Sequence, residues 1–557
     1  MVMLSEQPVV TSVGLGNRLE YALLALVFGL GFFGYLMPAL GYFTMIPGDL
    51  GDARFNSVIL EHGYQWLTGQ TPYLWSPGFF YPFERVLGLS DNHFGSVWSY
   101  AALRGVGLTR EMAYSGWFLA GTVLNFWVCW WVLRREGLAI VAAATGAFVF
   151  AFALPMLHQE GHAQMVYRFA IPLAVFAGYR GLVRKDFALL AQSVFWCGVQ
   201  FLCSIYLGVF LVYALIAGLL AHAVVHAVAG LPNGVAGEWV SAKRRPAAWL
   251  WVGLALSVAI AVALLLRQYQ QIASDYGLVR SLDDLRSLIP RPASYLLADN
   301  SYLTRWLGSH VTGIVARSEH QLFIGVGVAL FAGAGLIAAC CAHRFAGPLR
   351  VCAGVAGLTL ALLITLTLLV GNFSFYLWVL KLPGIDAIRA VSRIILVLLL
   401  PFAVLVALGF EYLLQSLRGR VVKLVVILLA LCALTAETVW YQPHHSAVQT
   451  WLDRQAGMNS FIKTALPSDA ILYVTQRKSE PFYITELDAM IYAQDHHLRT
   501  LNGYSGSTPA GYTYPDPCLP VDTRLKGYFA FRNVPEPRQQ TLLSQLKTVA
   551  LEPCTKN

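Results

Sequence analysis

Long apolar runs recur along this 557-residue chain, and they limit its possible folds more than any other feature. A helix needs roughly 20 mostly apolar residues to cross a bilayer, and within it the helix satisfies its own backbone hydrogen bonds. The first run lacks the small-residue cleavage site of a signal peptide, so we interpret it as a retained anchor. The sequence predicts about eleven spanning helices, near residues 18–40, 113–133, 138–157, 163–180, 187–203, 205–229, 248–266, 321–342, 350–370, 391–411 and 421–439.

The composition and the placement of charge agree with a membrane protein. Hydrophobic residues make up 57% of the chain and charged residues only 12%, whereas about a quarter of the residues in soluble proteins are charged. The net charge of +9 is concentrated in five short turns between apolar runs: Arg134 and Arg135; Arg180, Arg184 and Lys185; Lys243, Arg244 and Arg245; Arg344 and Arg350; Arg418, Arg420 and Lys423. If the N-terminus is cytoplasmic, alternation of the spans puts all five turns on the cytoplasmic side. These residues therefore orient the protein, and we expect no nucleic-acid partner.

The longer polar segments then fall on the outer side. They are residues 41–112, 158–162, 267–320, 371–390 and everything after about 440. In the first of them, the pattern predicts two helices along the membrane face, 53–68 and 94–104. After 440, helices near 446–464, 481–495 and 535–547 alternate with strands at 470–475, 499–502 and 548–551, which is typical of a small α/β domain. The predicted fold is thus a polytopic α-helical membrane domain over 1–439 and a soluble outer-face α/β domain over 440–557.

The cysteines give little evidence of a metal centre. Most lie inside apolar runs and none forms a CxxC pair, which disfavours a zinc site. Cys518 and Cys554 differ because they fall in the predicted outer domain. In an oxidising compartment they form either a disulfide or two separate thiols, and the sequence leaves both alternatives open.

Two acidic residues stand where the first span leaves the membrane. Asp49 and Asp52 are separated by Leu50 and Gly51, and Arg54 follows them. One interpretation is helix N-capping, since Asp is favoured at that position. Two carboxylates with an arginine exceed what a cap requires, and acidic groups at a bilayer edge are costly without a function. We expect Asp52, with Asp49 as the second candidate, to act as a general base in a polar cavity.

The second outer turn reads His158-Gln-Glu160-Gly-His162. Its spacing suits either a hydrated hairpin or a cavity lining with acid–base or metal-binding capacity. The HExxH spacing of zinc proteases is absent. We expect Glu160 and His162 to be the main participants. A divalent cation shared with the aspartates is left open, because no specific motif supports it.

Three arginines near the outer ends of spans are candidates for binding a phosphate. Arg389 and Arg393 are four residues apart, which would place them on one face of a helix at its outer start, where the helix dipole also favours an anion. Arg168 lies about one turn inside another predicted span. The alternative for all three is anchoring at the membrane interface. No Walker A, GxGxxG or GxSxG sequence occurs, so we expect no nucleotide cofactor and no serine-hydrolase mechanism.

This architecture resembles the GT-C superfamily of polytopic membrane glycosyltransferases, in which an essential acid follows the first span. Here Gly48-Asp49-Leu50-Gly51-Asp52 occupies that place, and the segments 383–393 and 501–506 resemble uncharacterised bacterial members. The resemblance implies a polyprenyl-phosphate-linked sugar as donor and a cell-envelope glycan, lipid or protein as acceptor. It also implies location in the bacterial inner membrane, with the site facing the periplasm. The chain departs from the family by lacking a clean Asp-x-Asp motif.

Two other functions compete with this one. A transporter or flippase of a lipid-linked saccharide would also use intramembrane charges, but no inverted repeat with paired broken helices is evident. A non-catalytic scaffold would not need Asp49, Asp52 and Glu160 together.

Overall fold

The computed structural model describes residues 15–228, 246–278, 281–341, 347–380, 388–462, 466–475, 480–512 and 521–552. Cys518 and Cys554 lie outside the described residues, so their pairing stays open. The same holds for the basic turn at 243–245 and for Arg344.

The first part of the chain, to residue 228, is almost entirely helical outside the first loop. A short π-helical turn, Phe32–Leu36, joins the first two helices into one span. The elements are α1 Asn17–Gly31, α2 Met37–Ala39, β1 Met45–Pro47, α3 Asp52–Leu67, α4 Val97–Gly105, α5 Arg110–Arg135, α6 Ile140–Phe152, α7 Leu154–Leu157, α8 Ala170–Arg184, α9 Phe187–Cys203 and α10 Ile205–Val228.

The middle part carries further apolar helices and short helices between them. These are α11 Pro246–Asp275, α12 Leu282–Ser287, α13 Arg305–Gly308, α14 Val326–Cys341, α15 Gly347–Thr367, α16 Tyr376–Val379, α17 Ile395–Ser416 and α18 Arg420–Val439. Single 3-10 turns stand at Val86–Leu89, Ala163–Met165, Pro292–Leu296, Arg317–His320 and Val391–Ile394.

The last part alternates strands and helices. It contains β2 His445–Ala447, α19 Val448–Phe461, β3 Ile471–Thr475, α20 Phe482–Asp495, β4 Arg499–Thr500, α21 Val521–Arg532, α22 Glu536–Ser544 and β5 Leu546–Ala550. Strands β4, β3 and β5 form a parallel sheet in that order, with Ile471 opposite Arg499 on one side and Leu546 on the other. That this segment is a separate soluble domain stays a prediction.

The described residues contain nine helices long and apolar enough to cross a membrane, which is consistent with a helical membrane protein. Two further apolar helices, α9 and α14, have 17 and 16 residues and coincide with predicted spans. They are shorter than the roughly 20 residues a perpendicular span needs. The count of eleven therefore stays a prediction.

Helices α6 and α17 form the centre of the apolar bundle. Every residue of α6 is buried, and α17 is buried along most of its length. Close backbone approach supports this packing: a Cβ atom on Gly409 of α17 would lie 2.2 Å from the Phe331 carbonyl oxygen of α14. Without a hydrophobic driving force in lipid, helices associate through such small-residue contacts.

The two ends of the helical bundle differ in the charged side chains and chain segments that they contain. At one end, buried Glu20 and Glu411 accept the Ile140 and Ala139 N–H groups at the start of α6, and Arg180 pairs with Glu136 at 2.5 Å. At the other end lie residues 41–112, the turn at 158–162 and the 440s, which contact one another. The basic turns at 134–135 and 180–185 contact each other at the first of these ends, and the turn at 418–423 follows α17, whose Glu411 lies there too.

Candidate functional site

The segment from Gly48 to Asp52 carries the two aspartates and is held firmly at its start. Strand β1 pairs antiparallel with β2, and the Gly48 N–H donates to the His444 carbonyl at 2.8 Å. Gly48 has a φ of +93°, and a Cβ atom there would lie 2.9 Å from the Gly161 Cα. Only glycine combines this conformation with this contact. The aspartate loop therefore lies directly against the 158–162 turn.

The two aspartates have different surroundings. Asp49 accepts the Gly51 N–H at 3.0 Å, folding back on its own turn. Asp52 is the first residue of α3, and Gly51 occupies the N-cap position without any side-chain cap. The N-capping interpretation is therefore wrong for both residues. The Asp52 side chain remains 37% exposed, so its carboxylate is accessible to a substrate.

A continuous chain of polar side chains runs from Asp52 to Arg393. Tyr504 donates its hydroxyl to Asp52 Oδ1 at 2.7 Å. His162 Nε2 lies 3.4 Å from Asp52 Oδ2 and 3.4 Å from Glu319 Oε1. Glu319 in turn accepts two hydrogen bonds from Arg393, at 3.1 Å from Nε and 2.6 Å from Nη2. The arrangement brings three of the predicted site residues, Asp52, His162 and Arg393, into one cluster.

Burial and charge set the protonation states in this cluster. Burial alone would raise the pKa of Glu319, but Arg393 and then His162 outweigh it and hold that pKa at about 2. Burial and the Arg393 guanidinium lower the pKa of His162 below its ordinary value of 6.5, against the opposing carboxylates. At neutral pH we therefore expect an ionised Glu319 and a neutral His162 between two carboxyl groups.

Arg389 lies close to Arg393, but the two residues do not share the predicted helical face. Residues 388–390 are not helical, residues 391–394 form a 3-10 turn, and α17 begins only at Ile395. The i,i+4 arrangement of Arg389 and Arg393 is therefore wrong. Tyr206 links them instead: its hydroxyl accepts the Arg389 N–H at 3.2 Å, and its ring lies 5.4 Å from the Arg393 guanidinium.

The side chains of the turn at 158–162 do not act as one unit. Glu160 is 1% exposed and accepts the Tyr35 hydroxyl at 2.6 Å and the His444 N–H at 2.5 Å. Half-buried His158 packs its ring edge-on against Tyr441. Glu160 thus contacts the first span and the 440s, and His158 contacts the 440s, whereas His162 lies beside Asp52. Among the described residues, no three His, Cys, Asp or Glu side chains are grouped to hold a metal ion.

The two remaining predicted arginines lie apart from this cluster. Arg54 is 1% exposed and pairs with Asp488 of α20 at 2.6 Å, so it joins α3 to the last part of the chain. Arg168 is fully buried just before α8, with Phe150 4.8 Å from its guanidinium and the Leu396 carbonyl 3.3 Å from Nη1. The Arg168 guanidinium therefore contacts the start of α17, three residues beyond Arg393.

Sequence reasoning missed Glu319, Tyr206 and Tyr504 as members of the site. Glu319 is an isolated acid just before an apolar run in the predicted outer segment 267–320, which was a weak signal. Tyr504 belongs to the 501–506 stretch that carries part of the family resemblance, so a signal was present there. Tyr206 had none, because nothing in sequence separates it from other interfacial tyrosines.

The second half of α3, the start of α4 and the second half of α11 line an apolar cavity of about 750 Å³. Aromatic and aliphatic side chains dominate its wall, among them Ile59, Trp66, Trp75, Leu87, Phe94 and Leu265. Exposed Arg267 and half-buried Gln268 stand at one edge. The cavity is suited to a hydrocarbon chain whose polar end stays outside it.

No protein-family model matches this chain, and no curated protein sequence is significantly similar to it.

Proposed function

We propose that the protein is a membrane glycosyltransferase that transfers a sugar from a polyprenyl-phosphate-linked donor to an outer-face acceptor. The observation that carries the proposal is the cluster itself. A partly exposed carboxylate at the start of α3 and a buried arginine in the 3-10 turn before α17 are separated by only two side chains, His162 and Glu319. An acceptor-activating base and a phosphate-binding cation are what this reaction needs at short range.

The chemistry assigns a role to each end of the cluster. As the bond from the anomeric carbon to the phosphate oxygen breaks, negative charge grows on the phosphate and positive character grows on the sugar. Arg393, with Arg389 nearby, stabilises the departing phosphate. Asp52 takes the proton of the acceptor hydroxyl or amine as that group attacks the anomeric carbon. Tyr504 and His162 hold the Asp52 carboxylate in place.

The surroundings suit a lipid-borne donor. Arg393 lies at the end of a helix long and apolar enough to span the membrane, where a lipid phosphate would sit. We assign the apolar cavity beside α3 to part of the donor's hydrocarbon chain. A soluble nucleotide-sugar would use neither feature.

The finer architecture belongs to the same proposal. We place the cluster on the outer face of the bacterial inner membrane, at the outer ends of eleven spans. We assign residues 440–557 to an outer α/β domain that handles the acceptor. In support, Tyr504 follows β4 and contacts Asp52, and Tyr483 lies in the first turn of α20, after β3, beside Gly51. Both therefore come from near the carboxyl ends of parallel strands, where α/β folds bind ligands.

The test compares two isosteric variants in purified full-length protein supplied with labelled polyprenyl-phosphate sugars. Asp52→Asn should lower turnover by about 10²–10⁴-fold with donor affinity kept, because it removes the base and leaves the shape. Asp49→Asn is the matched control, since its side-chain oxygen can still accept the Gly51 N–H. Normal turnover in both variants would exclude the aspartates as the base. Vesicle uptake of the lipid without any sugar transfer would favour a flippase instead.

A further inference from the structure

Glu319 occupies the face of Arg393 that a phosphate would need. The two side chains form a bidentate pair through Nε and Nη2 of the guanidinium, and they are only 6% and 9% exposed. Arginine binds carboxylates and phosphates with this same forked geometry. A donor phosphate therefore cannot take this face of Arg393 while Glu319 holds it.

We propose that Glu319 is an internal stand-in for the donor phosphate, which holds Arg393 in the unliganded protein and is displaced when the lipid phosphate binds. The inference rests on the proposed function, since it assumes that Arg393 receives the phosphate. A sugar phosphodiester carries one negative charge, as the Glu319 carboxylate does. Exchanging one for the other keeps one anion on the forked face of the buried guanidinium. A neutral lipid offers no such exchange, because it would leave Arg393 buried and unpaired.

The structure also provides a place for the displaced carboxylate. Glu319 Oε1 is already 3.4 Å from His162 Nε2, so a small side-chain rotation exchanges the guanidinium for the imidazole. The backbone need not move. The next residue, His320, is held by hydrogen bonds of its ring nitrogens, Nδ1 with Ser294 Oγ at 2.8 Å and Nε2 with the Ser287 carbonyl at 2.7 Å. Because His162 also contacts Asp52, phosphate binding would change the surroundings of the proposed base.

Glu319 then competes with every anion that reaches Arg393, including the lipid phosphate left after transfer. It keeps Arg393 oriented without letting the product bind too tightly. Glu319→Gln tests this directly, since glutamine keeps the shape and one acceptor oxygen but loses the charge. The variant should bind lipid phosphate more tightly than the wild type, whereas a residue that only stabilises Arg393 would weaken binding when changed.

The probe is farnesyl phosphate, titrated by calorimetry into the full chain in detergent, with farnesol as the uncharged control. We expect Glu319→Gln to lower the Kd for farnesyl phosphate about tenfold and to leave farnesol binding unchanged. Glu61→Gln is the matched control. Glu61 forms another bidentate pair, with Arg104 at 2.9 Å and 3.0 Å, outside the cluster, and its variant should bind like the wild type.

Two arginine variants separate this inference from the proposed function. Arg393→Met should abolish farnesyl phosphate binding, and Arg393→Lys should weaken it while keeping the charge. Thermal unfolding of each variant checks that it is folded. Unchanged affinity in both arginine variants would overturn the phosphate site itself. Lost affinity in Arg393→Met with unchanged or weaker binding in Glu319→Gln would overturn only the role of Glu319.

Discussion

At the scale of single residues, Tyr504 shows how the end of the chain enters the cluster. Its hydroxyl donates to Asp52, and its ring packs against Phe55 of α3, with centroids 5.7 Å apart. The preceding Gly503 donates its N–H to buried Glu486 at 2.8 Å, and Glu486 pairs with Arg524 at 2.6 Å. A buried ion pair thus fixes the backbone from which Tyr504 reaches Asp52.

Tyr504→Phe should reduce kcat roughly tenfold while donor affinity stays the same. The variant keeps the ring packing and removes one hydrogen bond to a charged group, a bond worth about 1.5–3 kcal/mol. Steady-state kinetics and donor titration measure the two quantities separately. Tyr483→Phe is the control, since Tyr483 also lies beside the aspartates, 5.8 Å from the Tyr504 ring. Equal losses in both variants would show that the Tyr504 hydroxyl has no special role.

The raised pKa of Glu160 predicts that the stability of the protein, rather than its catalysis, depends on pH. Burial raises its pKa from 4.5 to about 8, against the hydrogen bonds from Tyr35 and His444. The folded state therefore binds the Glu160 proton more tightly than the unfolded state does. The stability that this proton contributes is fully present below pH 4.5 and is lost as the pH rises through about 8. Thermal unfolding in detergent should show a falling Tm from about pH 5 to about pH 8. Glu160→Gln should remove that slope, and an identical slope in the variant would assign it to another group.

At the scale of elements, the site depends on contacts between segments far apart in the chain. The start of α10 is one example. Asp91 of the first loop accepts the Ser204 hydroxyl at 2.5 Å and the Ile205 N–H at 2.8 Å. It therefore caps a membrane helix from outside that helix. The next residue, Tyr206, is the one that contacts Arg389 and Arg393, so this cap also positions the arginines.

The contact between the aspartate loop and the 158–162 turn can be tested at Gly48. Gly48→Ala should lower both Tm and turnover, because a Cβ atom there meets Gly161 and Ala53 at 2.9 Å and would push Asp52 away from His162. Gly313→Ala controls for backbone strain alone. Gly313 has a φ of +74° with nothing within 4 Å, so its variant should cost only the roughly 1–2 kcal/mol of a left-handed residue. Full turnover in Gly48→Ala would show that the loop position is not critical.

At the scale of the whole molecule, the polar cluster and the basic turns lie at opposite ends of the bundle. The first loop, the C-terminal segment and α11 also share one apolar core, containing Phe55, Phe80, Ile272 and Leu487. The segment after 440 is therefore packed on the membrane part rather than tethered to it. Arg54 of α3 reinforces this packing by binding Asp488 of α20, which Arg454 also binds from within the same segment.

This arrangement predicts the orientation of the protein in the membrane. An alkaline phosphatase fused to the C-terminus should be active, because that enzyme requires export, and a fusion at Arg244 should be inactive. The physical reason is the basic excess in the turns, which retains them on the cytoplasmic side. The reverse pattern of activities would place the cluster in the cytoplasm and remove the basis for an outer-face reaction.

The sequence by itself indicated a helical membrane protein, the position of most helices and the end of the bundle at which each loop lies. Apolar length and the distribution of charge are local properties, so α3, α20 and the strand at 471–475 could be placed within one or two residues. Asp52, His162 and Arg393 could also be named as candidates from the sequence, since charged groups near a bilayer are few and costly.

Only the tertiary structure decided which of these charges face one another. It separated His162 from His158 and Glu160, assigned Arg54 to an ion pair with Asp488, and added Glu319, Tyr206 and Tyr504. It also replaced the expected helical pair of arginines with a turn held by Tyr206. The physical reason is that side-chain pairing depends on distances between segments hundreds of residues apart, and a single sequence records no such distance.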